Sequence, residues 1–343
     1  MEKKKTLGIV VAIIVIIAAY FVYDHIASGS GSANWPSRTI NIYVASSAGG
    51  GTDVWNRQLA SEIEKELGTS VVVSNLPDGG GSAAQVNTWN AEHDGYSWLG
   101  VSETGCMWPA IGNSTQTSKD WTYFVMAGSP GVICVPGDSP YETWGDFIEA
   151  AKANPGKLNM ANSGTGKLWH LKAYVALECG NIDVNHIPYS GSGKAIIGLL
   201  SNEADAITLS VAEASEYILS GEMRPLVMTE NEAFNIEGYG EVEPVTNYYA
   251  DAAEYYPLNQ FLSFALPADT DPEILRIIEE AYHKVMDSDS IKKFAEEQMA
   301  TLYALSGEEA DEMVSNMEST LCFLLKDLGL ATADFESLGI TAQ

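Results

Sequence analysis

The chain has 343 residues, 46% of them hydrophobic and 10% aromatic, so it is not a disordered segment and has apolar material for about two domains. It carries 18 Lys and Arg against 46 Asp and Glu, a net charge of −28. Such acidity argues against a nucleic-acid partner and against docking on anionic lipid through a basic patch.

Glu2 and Lys3–Lys5 precede an uncharged run from Thr6 to Tyr23, which Asp24 ends. Eighteen residues of helix span about 27 Å, near the roughly 30 Å of a hydrocarbon core. Bases in front and an acid behind place the N-terminus in the cytoplasm and the rest outside. Residues 1–23 therefore read as a signal-anchor helix, and 24–35 as a flexible tether with the run Ser-Gly-Ser-Gly-Ser-Ala. The cleavage candidate Gly31-Ser32-Ala33 lies far from the apolar run, which favours an uncleaved anchor over a signal peptide. Either way the expected location is extracytoplasmic, in the periplasm or on the outer face of the cell membrane. Beyond residue 23 the chain has 15 basic and 45 acidic residues, a net of −30.

The four cysteines contain no CxxC. Cys134, Cys179 and Cys322 lie in apolar segments and read as buried thiols. A Cys106–Cys134 bridge is the one pairing considered for an oxidising compartment. His25, His93, His170, His186 and His283 are dispersed, so no metal site and no cofactor are expected.

Taken in order, Ile40–Ala45 reads as a strand, followed by Gly49–Gly51 and a helix over Val54–Leu67 that Gly68 stops. Val71–Ser74 is a strand, Gly79–Ser82 a turn, Ser82–Asn90 a helix and Tyr96–Val101 a strand. This β-α-β-α-β order predicts a mostly parallel sheet covered on both faces. The pattern then repeats. Strands are expected at Phe124–Met126 and Gly131–Val135, a helix at Trp144–Asn154 and a strand at Leu158–Ala161. The loop Ser163–Gly166 opens a helix over Lys167–Cys179. Val184–Ile187 is a strand and Lys194–Leu200 a helix. Ala206–Leu209 is a strand, 212–220 a helix, and Pro225–Thr229 and Phe261–Leu266 are strands. Residues 231–256 are acidic and tyrosine-rich and fit no template. Helices are expected over Pro272–Met286, Ser288–Met299 and Gly307–Leu328.

A glycine-rich strand-to-helix turn offers backbone N–H groups and the positive end of a helix dipole, which suits a carboxylate or phosphate. Four loops qualify: 49–53, 79–82, 163–167 and 190–193. Gly79–Ala84 formally fits the dinucleotide-binding pattern G-x-G-x-x-A, but no acid follows at the end of the next strand. It reads as a tight turn. No phosphate-binding loop with a terminal Lys-Ser/Thr exists, nor a nucleophile elbow or triad, so an enzyme is not expected.

Several segments together resemble solute receptors of the tripartite tricarboxylate transporter (TctC/Bug) family. They are residues 35–53 (WPSRTINIYVASSAGGGTD), Val71–Pro77 with Gly79–Gly81, Asp94-Gly95-Tyr96 and Asn154–Leu158. Ser163–Gly166 with His170-Leu171, His186–Tyr189 with Gly191, Asp205 and Ala265–Asp271 complete the series in the family's order. The resemblance covers about residues 35–340. It implies a two-lobed α/β fold of the type II periplasmic binding class with two crossing strands. Lobe 1 would comprise 36–132 and 259–343, and lobe 2 133–258.

It further implies that two loops hold one ligand carboxylate, largely through backbone N–H groups and water. These map to Ser46, Ser47, Gly49, Gly50, Thr52 and Asp53, and to Ser163, Gly164, Thr165 and Gly166. Asp53 would repel a carboxylate and suits a helix cap better than a ligand contact. His170 is either a contact or a satisfied helix histidine. Tyr189, Ser190, Gly191 and Ser192 would supply the far wall, with Ser210 beside them. Lys167 departs from the family's small polar residue and would face a second carboxylate or solvent. Glu103 departs likewise and, facing the cleft, would prefer an amino group. Trp55, Trp108 and Trp169 flank expected cleft positions. The implied function is capture of a small organic acid or amino acid by a monomer, which passes it to the membrane subunits of a transporter. A sensory receptor for a signalling partner is the alternative, with an exported enzyme on the same fold as the more distant one.

Overall fold

The computed structural model describes residues 34–256 and 258–342. The expected signal-anchor helix lies outside the described residues. Among those described, no helix is long and apolar enough to cross a membrane.

The chain builds two mixed sheets. The first half opens with β1 (Ile40–Val44), α1 (Gly51–Leu67), β2 (Val71–Asn75), α2 (Ser82–Trp89) and β3 (Ser97–Ser102). A short helix, α3 (Thr104–Met107), then leads to β4 (Trp121–Gly128). Two residues later β5 (Gly131–Pro136) enters the second half. There follow α4 (Trp144–Ala153), β6 (Asn159–Asn162), α5 (Leu168–Glu178) and β7 (Asn185–Pro188). Then come α6 (Ser192–Leu200), β8 (Ala206–Ser210), α7 (Val211–Ser220) and β9 (Met223–Met228). A hairpin of β10 (Phe234–Ile236) and β11 (Gly240–Val242) precedes the return strand, β12 (Leu262–Pro267). The C-terminal part adds α8 (Pro272–Met286), α9 (Asp289–Glu297), β13 (Thr301–Leu305) and α10 (Gly307–Asp327).

The first sheet has the order β13-β4-β12-β3-β1-β2 and the second β7-β6-β8-β5-β9. Without β13 the two orders are the same. In each, the first strand of the half (β1 or β6) lies between the second and third, and all three run parallel. In each, one strand runs against its neighbours: β12 in the first sheet and β5 in the second. Each antiparallel strand arrives from the other half. The sheets are therefore more antiparallel than the β-α-β-α-β order suggested, because the chain crosses between halves twice. Burial follows position in the sheet except at edge strand β9, which is buried at five of its six residues. Central β5, β8 and β12 are buried at every residue, whereas edge strands β7 and β13 are mostly exposed or half-buried.

The crossings touch. A Cβ on Gly128 would lie 1.9 Å from the carbonyl oxygen of Gln260, so only glycine lets the two segments pass. Gln260 Oε1 accepts from the Ser129 amide at 3.2 Å, and Gly131 O from the Thr229 amide at 2.8 Å.

Several expectations need correction. Helix Ser288–Met299 ends at Glu297, and β13 follows it as an edge strand. Ala304 at φ 53° and an irregular register leave β13 no clean alternation to read. Residues 231–256 form the β10–β11 hairpin and two 3-10 turns. All four cysteines are free. The sulfur of Cys322 lies 3.3 Å from the carbonyl of Cys106, which therefore neighbours α10 and not Cys134.

Candidate functional site

In an open parallel sheet, ligands bind beyond the carboxyl ends of the strands, where the strand order reverses. Here the order reverses at β1 and at β6. The loops leaving these strands are Ala45–Gly50 and Ser163–Lys167, two of the four glycine-rich turns.

The two loops are built alike. After each, the third residue of the helix holds the loop. Asp53 Oδ2 accepts from the Gly49 amide at 2.8 Å, and His170 Nδ1 accepts from the Gly166 amide at 3.1 Å. Asp53 is 2% exposed, and its other oxygen accepts from Arg57 Nε at 2.9 Å and Asn75 Nδ2 at 2.8 Å. Burial raises its pKa, but these donors outweigh burial and hold it below the usual carboxylate value. His170 is lowered by burial, and its accepting Nδ1 requires the neutral ring with the proton on Nε2. Both residues shape a loop rather than present a charge.

Side chains cap the helices that start elsewhere: Thr143 caps α4, Ser210 α7, Asp271 α8 and Ser288 α9. Helices α1, α2, α5 and α6, which follow β1, β2, β6 and β7, have no side-chain cap. The short α3 after β3 and helix α10, away from the loops, share this feature. Uncapped first turns keep amide donors for another acceptor.

Ser46 is half-buried, with its carbonyl on Asn75 Nδ2 at 3.0 Å, while Ser47 and Gly49 are exposed and Gly50 is half-buried. Thr52 is 7% exposed in the first turn of α1. On the other side Ser163, Gly164, Gly166 and Lys167 are half-buried and Thr165 is exposed. Gly164 sits at φ 139° and gives its amide to Asn162 Oδ1 at 3.0 Å. Thr165, Gly166 and Lys167 meet Gly80, Thr104 and Trp108 of the first half around a cavity of about 170 Å³. A second cavity of about 300 Å³, lined by Ser129, Glu230, Tyr256 and Tyr303, lies beside the crossings.

The third loop is less available than expected. Tyr189 gives its hydroxyl to Glu203 at 3.1 Å and covers Gly198. Gly191 at φ 127° and Ser192 begin α6, and Ser190 is exposed. Ser210 is 3% exposed, and its hydroxyl is engaged in the reciprocal cap with Glu213. Turn 79–81 holds three successive left-handed glycines, and a Cβ on Gly81 would lie 2.4 Å from the Ala45 carbonyl oxygen. Trp55 packs edge-on against Phe294 inside the core and is no cleft wall. Trp108 lines the 170 Å³ cavity, and Trp169 lies 5.8 Å from the Lys172 ammonium.

Three residues escaped the sequence reading. Lys172 is fully buried on α5, with its ammonium on the Thr229 carbonyl at 3.1 Å and on Glu230. Burial pulls Lys172 down and pushes Glu230 up, and each partner partly opposes that shift. A lone lysine four residues after Leu168 and three before Val175, on the apolar stripe, was the available signal. Asn162 is fully buried and holds the Gly164 loop. Nothing in its local sequence distinguished it.

Two α/β halves of equal strand order, joined by two crossings and with uncapped helix starts where the strand order reverses, define a solute-binding protein of the periplasmic type. The profile of the "Tripartite tricarboxylate transporter family receptor" group matches residues 55–330, and the chain belongs to that family. It is 28% identical to a UPF0065 protein of Cupriavidus necator over 87% of this chain and 90% of the relative. The crystal structure of a Polaromonas TctC solute-binding protein superposes with a TM-score of 0.71 at 26% identity, covering 86% of this chain and all of that one. Two Rhodopseudomonas palustris proteins share the fold. One, with adipate, has a TM-score of 0.73 at 21% identity (87% and 99% covered). The other, MatC with bound malate, has 0.71 at 18% (85% and 100% covered).

Proposed function

We propose that this receptor captures a small organic acid between a lobe of residues 36–132 and 259–343 and a lobe of residues 133–258. The ligand carboxylate would lie between the N-termini of α1 and α5. The uncapped first turns of both helices, at the two points where strand order reverses, carry this reading. Gly49, Gly50, Thr52, Ser163, Gly164, Thr165 and Gly166 would contribute amides or hydroxyls, with Ser46 and Ser47 at the rim. Asp53 and His170 keep the loops in shape. Tyr189, Ser190 and Ser192 would wall the far side.

The receptor works as a monomer outside the cytoplasm and hands its ligand to the membrane subunits of a transporter. The relatives with malate and adipate support a carboxylate as the ligand class. The net charge of −30 does not oppose it, since surface repulsion is screened over about 8 Å at physiological salt and the donors act at contact. The test is native mass spectrometry of residues 34–343 as purified, with melting curves across a panel of carboxylates and amino acids. A copurified acid or a ligand-dependent shift is expected. Absence of both overturns the reading.

A further inference from the structure

Glu103 follows β3 and is 6% exposed. Its carboxylate accepts from its own amide and from that of Phe261, in the second crossing, yet Oε2 has no protein partner. The cations whose field reaches it belong to the other lobe: Lys167 at the start of α5 and Lys172 within it. Lys172 already holds Glu230. With both glutamates ionised, the two lysines and the two glutamates sum to zero, so this floor then has no surplus cation for a second anionic group. An ionised carboxylate only accepts hydrogen bonds, so what Oε2 lacks is a donor. Strand β3 lies directly beside β1. The next residue, Thr104, lines the 170 Å³ cavity that Thr165, Gly166 and Lys167 also line, so Glu103 adjoins the space between the lobes.

We propose that the ligand is a carboxylic acid that also carries a hydrogen-bond donor, an ammonium group foremost, and that Glu103 accepts from it. Glu103 thereby sets a preference for an amino acid over a plain dicarboxylate. This rests on the receptor reading above and extends it to the ligand's second group.

The pH dependence has a defined sign. Burial pushes Glu103 up to about 7, against the pull of Lys167 and Lys172, and the Cys106 thiol on α3 is its other titratable neighbour. Recognition of an ammonium needs the ionised form, so its affinity rises as pH increases through 7. A second ligand carboxylate would show the opposite trend, because only protonated Glu103 can donate to it.

The experiment is calorimetric titration of residues 34–343 with matched pairs: aspartate and succinate, glutamate and glutarate, leucine and 4-methylpentanoate. For the pair that binds, the amino member is expected to be at least tenfold tighter at pH 8. Glu103→Gln, checked for an unchanged fold by its melting curve, should bring the two members within threefold and flatten the pH profile. Equal or tighter binding of the deamino member overturns the proposal, as does a copurified ligand without a donor. If no compound binds and nothing copurifies, the receptor reading itself fails.

Discussion

Replacing Lys172 by Met removes the fully buried cation of an ion pair and strands Glu230, 12% exposed, beside Tyr256 and Tyr303. Glu230 would keep only the Gly131 amide, at 2.6 Å. Removing one partner of a buried pair costs about 3–5 kcal/mol, because the remaining charge is left uncompensated. Unfolding entropy of about 2.1 cal/mol/K per residue gives roughly 0.65 kcal/mol per degree for residues 34–343. The expected loss in melting temperature is therefore about 5–8 °C. Glu230 can escape by taking up a proton, so the loss shrinks as pH falls. The double variant Lys172→Met/Glu230→Gln removes both charges and keeps an acceptor for Gly131. It should recover at least about 2 kcal/mol relative to the single variant. Urea denaturation of wild type, both single variants and the double variant closes the cycle. A cost below about 1 kcal/mol for Lys172→Met refutes the reasoning, as does a double variant no better than Lys172→Met alone.

Glu318 caps the turn at Ser118, accepting from its amide at 2.8 Å and its hydroxyl at 2.7 Å, and burial pushes it up to about 7. The unfolded side chain ionises near 4.5, so its contribution to stability is full below that pH and is lost as pH rises to about 7. Melting curves should show Glu318→Gln losing this part of the wild-type slope between pH 4.5 and 7. Gly128→Ala places a methyl 1.9 Å from Gln260 O and should lower the melting temperature by several degrees, whereas Gly145→Ala, which meets nothing closer than 3.5 Å, should not. Gly50→Val has an ordinary φ of −73° and a nearest contact of 3.3 Å. It should leave the melting temperature within a few degrees of wild type while reducing ligand affinity at least tenfold in titration.

Element order was legible because each strand and helix carries its own local signal. Gly68 at φ 66° stops α1, Pro272 opens α8, and the buried strands β5, β8 and β12 are rich in apolar residues. The glycine loops were legible for the same reason, since left-handed backbone and close approach favour glycine. What no local pattern contains is sheet order. Whether β1 lies inside or at the edge of its sheet depends on pairings with strands far along the chain, and those pairings put the 46–53 and 163–167 loops at equivalent points. The same holds for Lys172 with Glu230, 58 residues apart, and for Ser118 with Glu318, 200 apart. Such groups look like ordinary surface charges until burial deprives them of water. The sequence determined where glycine-rich turns open helices. The tertiary structure decided which charged side chains are buried, because desolvation is a property of the packed whole.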